Sequence, residues 1–113
     1  MLQRYLDSLI DTALNNETGR RGCFIANTAM ELGAVDLEIS RRFEVFTSDM
    51  EIAFYRFLMR AQELGKLKAG RDIRETARFL VATRHGFYVL AKTATDRKVM
   101  EDTAKVVISA VFG

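Results

Sequence analysis

Proline and tryptophan are absent from the 113 residues, and cysteine and histidine occur once each. A chain without proline lacks the fixed-φ residue that turns and sheet edges normally use, which tips the balance toward helix. A single cysteine excludes an internal disulfide and suits a reducing, cytoplasmic setting. One histidine with one cysteine does not make the usual four-ligand zinc cage. There is no glycine-rich phosphate loop and no Ser/His/Asp set with supporting context, so no enzyme class, cofactor or metal is expected. No apolar run approaches the ~18 residues needed to span a membrane. The opening MLQRYLDSLIDTAL is broken by Arg4, Asp7 and Asp11, unlike a leader peptide. Neither sign of charge dominates: 17 basic residues face 15 acidic ones. That balance is too even to argue for direct nucleic-acid binding.

What is present is a hydrophobic content of 49% with 28% charged residues, the balance of a globular chain. Its length suits one domain over residues 1–113, expected to be all-α with about five helices. Leu2, Leu6, Leu9 and Ala13 repeat at helical spacing, with Ile10 and Leu14 widening the stripe, and Asn15-Asn16 should end this first helix. A short second helix is expected from Cys23 to Leu32, stopped by Gly33. Asp36 and Gly65 bracket a third, roughly 45 Å long at about 1.5 Å per residue. Its apolar residues fall on two faces: Ile39, Phe43, Phe46, Met50, Ala53, Phe57, Ala61 and Leu64 on one, Val45, Ile52, Tyr55 and Met59 on the other. Such a helix should lie between neighbours at the centre of the domain; a coiled coil would show one stripe only. Asp72 with Glu75 opens a fourth helix over about 72–94, and Thr95 or Asp96 caps a fifth that runs nearly to Gly113.

The fourth helix contains FLVATRHGFYVLAK, in which Arg84, His85 and Gly86 interrupt an otherwise apolar run. Ile73, Ala77, Leu80, Phe87 and Ala91 form one stripe, assigned to the core; Phe79, Ala82, Thr83, Gly86 and Leu90 form a second. His85 shares a polar edge with Arg74, Arg78 and Lys92, the position of a solvated rim residue. Gly86 costs about 1 kcal/mol relative to alanine inside a helix, a loss that close approach of another helix would offset. The fifth helix presents Val99, Met100, Thr103, Val106, Val107, Ala110 and Val111 on one broad arc. Two helices with this much apolar face point to a homodimer closed as a four-helix bundle. Its interface is expected at Phe79, Ala82, Thr83, Gly86, Leu90, Met100, Thr103, Val107, Ala110 and Val111. Arg84 projects on the assigned core face. It calls for an internal ion pair with Glu51 or Glu31, a side chain that reaches out to solvent, or a pocket wall that recognises a carboxylate.

The segments RRGCFIANTAMELG, AQELGKLKAG and ETARFLVATRHGFYVLAKT, in this order and spacing, resemble the C-terminal regulatory domain of TetR/AcrR-type transcriptional regulators. The resemblance runs from about Tyr5 to Val111. Gly22-Cys23 falls at the Gly-Cys that often opens the sixth helix of a full-length member, and Gly86 at the glycine of the penultimate helix. Arg84 departs from an apolar position, and His85 stands where glutamine is frequent. The resemblance implies a cytoplasmic, effector-binding and dimerising domain of a regulator, expected to be a repressor. It also implies a small-molecule effector among the first four helices, with Ile10, Phe24, Asn27, Met50, Phe54, Leu58, Arg84 and Tyr88 as lining residues. The same apolar residues at helical spacing also suit plain core. Operator DNA would be contacted only through an N-terminal helix-turn-helix segment, which is not expected within these residues. A stand-alone helical dimerisation module that pairs with full-length subunits is the competing reading. Cys23 could sense oxidants but suits a small buried side chain better, and Arg20-Arg21 and Arg41-Arg42 suit solvated edges.

Overall fold

The computed structural model describes residues 2–15, 31–32, 35–68, 70–91 and 96–113. Among them the chain forms four α-helices and no strand: α1 (Leu2–Asn15), α2 (Leu37–Glu63), α3 (Ile73–Ala91) and α4 (Arg97–Phe112). These are the expected first, third, fourth and fifth helices. Of the expected second helix, only the helical pair Glu31 and Leu32 lies within the described residues, and Phe24 and Asn27 fall outside them.

The helix ends follow from the residues that mark them. Asp36, in an extended conformation, accepts from the amides of Glu38 and Ile39 at 3.0 and 3.3 Å and so starts α2. At the other end Gly65 takes φ +70°, which lets Lys66 N–H reach the Ala61 carbonyl at 2.9 Å and Gly65 N–H reach that of Gln62 at 3.0 Å. This pair of bonds is the Schellman stop, and it needs a residue that tolerates a left-handed conformation. Asp72 accepts from Glu75 N–H at 2.9 Å ahead of α3, and Asp96 accepts from Lys98 N–H at 3.0 Å at the start of α4. The segment between α2 and α3 is tied to the end of α4, through Lys68 N–H to the Val111 carbonyl and Arg71 to the Ala110 carbonyl.

Packing runs α2 against α3, α3 against α1 and α1 against α4. One buried cluster joins all four: Leu2, Leu6, Leu9 and Ile10 of α1, Phe54 and Leu58 of α2, five residues of α3 from Ala77 to Ala91, and Met100, Ala104, Val107 and Val111 of α4. Each large side chain taken from water contributes roughly 1.5–3 kcal/mol. An Arg97–Asp11 ion pair joins α4 to α1 on the surface. The Cα extents are 42 × 32 × 16 Å. The short dimension leaves room for no more than two helix layers at an interaxial distance of about 8–10 Å. No helix among the described residues is long and apolar enough to cross a membrane.

The expected central position of α2 is not what forms. Of its second apolar face Val45, Ile52 and Met59 are exposed and Tyr55 is partly buried against the core, and the buried residues of α2 are Phe54, Leu58 and Ala61. The inner elements are α3, which meets both α2 and α1 and buries six residues, and α1, which meets α3 and α4. A two-sided pattern shows that a helix has apolar surface to spare; it does not say which side the neighbours occupy. Replacing fully buried Leu58 by alanine should therefore lower stability by about 2–5 kcal/mol, whereas Val45→Ala should stay within about 0.5 kcal/mol. Urea unfolding of the two variants checks the difference; equal losses would restore α2 to the centre.

Candidate functional site

Arg84 and His85 are consecutive on α3, so their side chains diverge by about 100° around the helix. Across from them α2 carries Phe43, Phe46 and Thr47, which share a face at helical spacing, and α1 supplies Tyr5. The Arg84 guanidinium lies 4.8 Å from the Tyr88 ring centre and 5.4 Å from that of Phe46, a cation–π distance for both. The His85 ring lies 5.2 Å from Phe43 and 6.0 Å from Phe46. Tyr5 meets Phe54 edge-on at 5.6 Å. Burial raises the Tyr5 hydroxyl above its ordinary pKa of 10.0, while the charge and hydrogen bonding of Arg84 pull the other way.

Three polar atoms of this aromatic cluster, Arg84 Nη1 and both His85 ring nitrogens, are buried without a hydrogen-bond partner, as is Thr47 Oγ1 on α2. Buried polar groups are paired in the great majority of cases, and an unpaired one costs about 1–3 kcal/mol. The ion pair expected between Arg84 and Glu51 does not form. Glu51, with its side chain only 18% exposed, instead accepts from Arg74 at 2.8 Å and Arg78 at 3.1 Å. Glu31 is exposed, and no ion pair to Arg84 exists among the described residues.

The same packing corrects the expectation for His85. Its polar edge faces α2: Glu51 takes the two arginines, and Phe43 and Phe46 take the imidazole. Burial, reinforced by the Arg84 charge, lowers the His85 pKa below its ordinary 6.5.

Of the expected lining residues, Arg84 and Tyr88 come together. Ile10 and Leu58 are fully buried in the core, Phe54 is buried against Tyr5, and Met50 is partly buried beside the core. Tyr5, Phe43, Phe46, Thr47 and His85 were not among the lining residues expected from sequence. The available signal was Phe43 and Phe46 at i, i+3, an aromatic pair placed to cover a cation on the next helix. A cleft of about 940 Å³ opens elsewhere, between the start of α1 and the ends of α2 and α4. Leu2, Phe57, Leu64, Ile108 and Phe112 line it together with Arg56, Arg60 and Lys66. Ile10, Met50, Phe54, Leu58, Arg84 and Tyr88, the expected lining residues among those described, are not part of its lining.

The structure divides the expected interface. Met100, Val107 and Val111 are buried in the chain's own core and so are not available to a partner. They point about 100° away from Val99, Thr103, Val106 and Ala110, and the single broad arc is in fact two adjacent stripes. Val106 is 67% exposed, and Val99 and Thr103 are exposed as well. On α3, Phe79, Ala82 and Gly86 are exposed, Thr83 and Leu90 are half-buried, and exposed Val89 extends the stripe. A Cβ added at Gly86 would meet nothing within 4 Å.

Among the described residues these are the helices of an all-α fold, the last two each carrying an outward apolar stripe. The chain belongs to the tetracyclin repressor-like C-terminal domain family, which it matches over residues 1–107. It is 33% identical over 100 residues to the uncharacterized HTH-type transcriptional regulator YezE of Bacillus subtilis (strain 168). That alignment covers 88% of this chain and 52% of the relative, so the chain spans about half the length of the curated relative it matches. No solved structure matches it.

The lowered His85 pKa carries a sign for stability. Above the unfolded value of 6.5 the ring is neutral in both states and the fold pays no penalty. As pH falls below 6.5 the unfolded chain takes up a proton that the folded chain resists, so stability declines with falling pH. Thermal melts between pH 7.5 and 5.5 should show this decline, and His85→Gln should flatten it. An unchanged slope in the variant would remove His85 as its source.

Proposed function

We propose that the chain is the effector-sensing and dimerisation domain of a TetR-type transcriptional regulator, acting as a repressor. The observation that carries this reading is the position of the Arg84–His85 cluster and the outward stripe around Gly86 on the same helix, α3. Phe79, Ala82, Gly86 and Val89 on α3 and Val99, Thr103, Val106 and Ala110 on α4 would pair with their copies across a two-fold axis as a four-helix bundle. Of the expected interface this assignment keeps Phe79, Ala82, Gly86, Thr103 and Ala110, leaves out buried Met100, Val107 and Val111 and half-buried Thr83 and Leu90, and adds exposed Val89, Val99 and Val106. DNA contact is assigned to a helix-turn-helix segment outside these 113 residues, in keeping with the name of the relative and the half of its length that the alignment leaves uncovered.

The mechanism is linkage. A small molecule that binds one arrangement of α1, α2 and α3 better than another shifts the dimer toward that arrangement, by no more than its difference in affinity for the two. Because α3 also supplies the dimer contact, a change at Arg84–His85 alters how two subunits meet and hence the spacing of whatever they carry.

Light scattering of the chain at micromolar concentration should give the mass of two copies, and a monomer there would end the reading. Gly86→Arg should yield a monomer with unchanged helical circular dichroism, since nothing in the chain itself lies within 4 Å of an added Cβ. Gly86→Ala separates the two cases. With no partner at this position it should stabilise the fold by about 1 kcal/mol through helix propensity; with a partner helix against it, dimerisation should weaken.

A further inference from the structure

Resting on the sensing role proposed above, we infer that the effector is an organic anion with a flat apolar body, its carboxylate paired with Arg84 Nη1. The guanidinium carbon lies 4.8 Å from the Tyr88 ring centre and 5.4 Å from that of Phe46, and on its N–H edge the buried Nη1 is left without a partner. That edge is where a carboxylate binds an arginine.

Among the described residues of α1 and α2, the carboxylates are either paired with other groups or exposed. On α2, Glu51 holds Arg74 and Arg78, and Glu38 holds Arg42, while Glu44 and Asp49 are exposed. On α1, Asp7 takes Gln3 and Asp11 takes Arg97. Tyr5, the polar group α1 brings to Arg84, has a raised pKa and is neutral at ordinary pH, so it does not balance the charge. His85, neutral and, like Arg84, beside the Phe46 ring, holds one N–H donor and one acceptor without partners. One cation with unpaired polar neighbours on a bed of aromatic rings recognises a negatively charged head on an apolar body. A cationic ligand would meet the charge of Arg84 directly, and an uncharged one would leave it unbalanced.

The test uses the intact 113-residue chain and three probes of one shape: 1-naphthoate, its uncharged amide 1-naphthamide, and the cation 1-naphthylmethylammonium. Calorimetric titration should show naphthoate binding at least about tenfold more tightly than the amide, a difference expected for one charge-assisted hydrogen-bonded pair, with no binding of the cation. Arg84→Gln should bring naphthoate down to the level of the amide, and Arg84→Lys should keep part of the preference. Equal binding of acid and amide by the wild type would overturn the anion assignment and leave the sensing role standing. Failure of all three to bind would overturn both. A second measurement needs no ligand. If Arg84 is kept for an anion, Arg84→Met should leave the melting temperature of the free protein unchanged or raised. A fall of more than about 5 °C, on the order of 1 kcal/mol in a domain this size, would make Arg84 a structural residue and overturn the inference.

Discussion

Helix α3 has to satisfy three directions at once, and the rest of the structure follows from how its surface is divided. Ala77, Leu80, Phe87 and Ala91 are buried in the shared core, which places α1 on one side. Arg74, Arg78 and His85 lie along the side met by α2, where Glu51 and the rings of Phe43 and Phe46 receive them. Phe79, Ala82, Gly86 and Val89 remain on the outside. Burial of the first arc fixes the rotation of the helix about its axis, and with that fixed the other two arcs have no freedom of their own. A substitution that turned α3 by one residue would put Gly86 or Tyr88 where Phe87 belongs.

That division brings polar recognition and apolar association within one turn. Arg84, His85 and Gly86 are sequential, yet they face respectively the aromatic cluster, α2 and the exterior. A helix is stiff along its hydrogen-bonded backbone, so a shift imposed on Arg84 and His85 carries Gly86 with it. Packed interfaces respond to such shifts by moving between discrete arrangements. Under the proposed function, coupling between a ligand and a second subunit would need no long chain of contacts, because both would bear on the same few residues.

Much of this architecture was legible in the sequence. Asp36, Gly65 and Asp96 marked the ends of α2 and the start of α4 because capping and left-handed stops depend on the chemistry of single residues. The core arc of α3 was legible from its period. What was not legible was which neighbour lay on which side. Val45, Ile52 and Met59 read as a second buried face of α2 but are exposed. Met100, Val107 and Val111 merged with Val99 and Val106 into one arc, although α1 covers only the first set. Apolar periodicity records how much surface must be covered and on which bearing. Whether the cover comes from the same chain or from a second one is a tertiary fact. His85 failed for the matching reason: it shares an edge with arginines, which usually means solvent, and here that edge is met by a glutamate and two phenylalanines.

The cluster around Arg84 is the place where local rules are broken together, and the breaks point one way. A fold optimised for stability alone would fill these positions with apolar residues, since replacing a buried charge by a packed hydrophobe is often neutral or stabilising. Consistency among levels is the ordinary condition of a folded sequence, and departures from it gather at functional sites. The three unpaired atoms of Arg84 and His85 each weaken the free state by about 1–3 kcal/mol, and under the proposed sensing role each would be a contact that a suitable ligand gains. The strain is therefore selective. It penalises the unbound arrangement, does nothing for a ligand without matching groups, and gives a matching one a difference in free energy between the two states, which is the quantity a regulatory domain needs in order to respond at all.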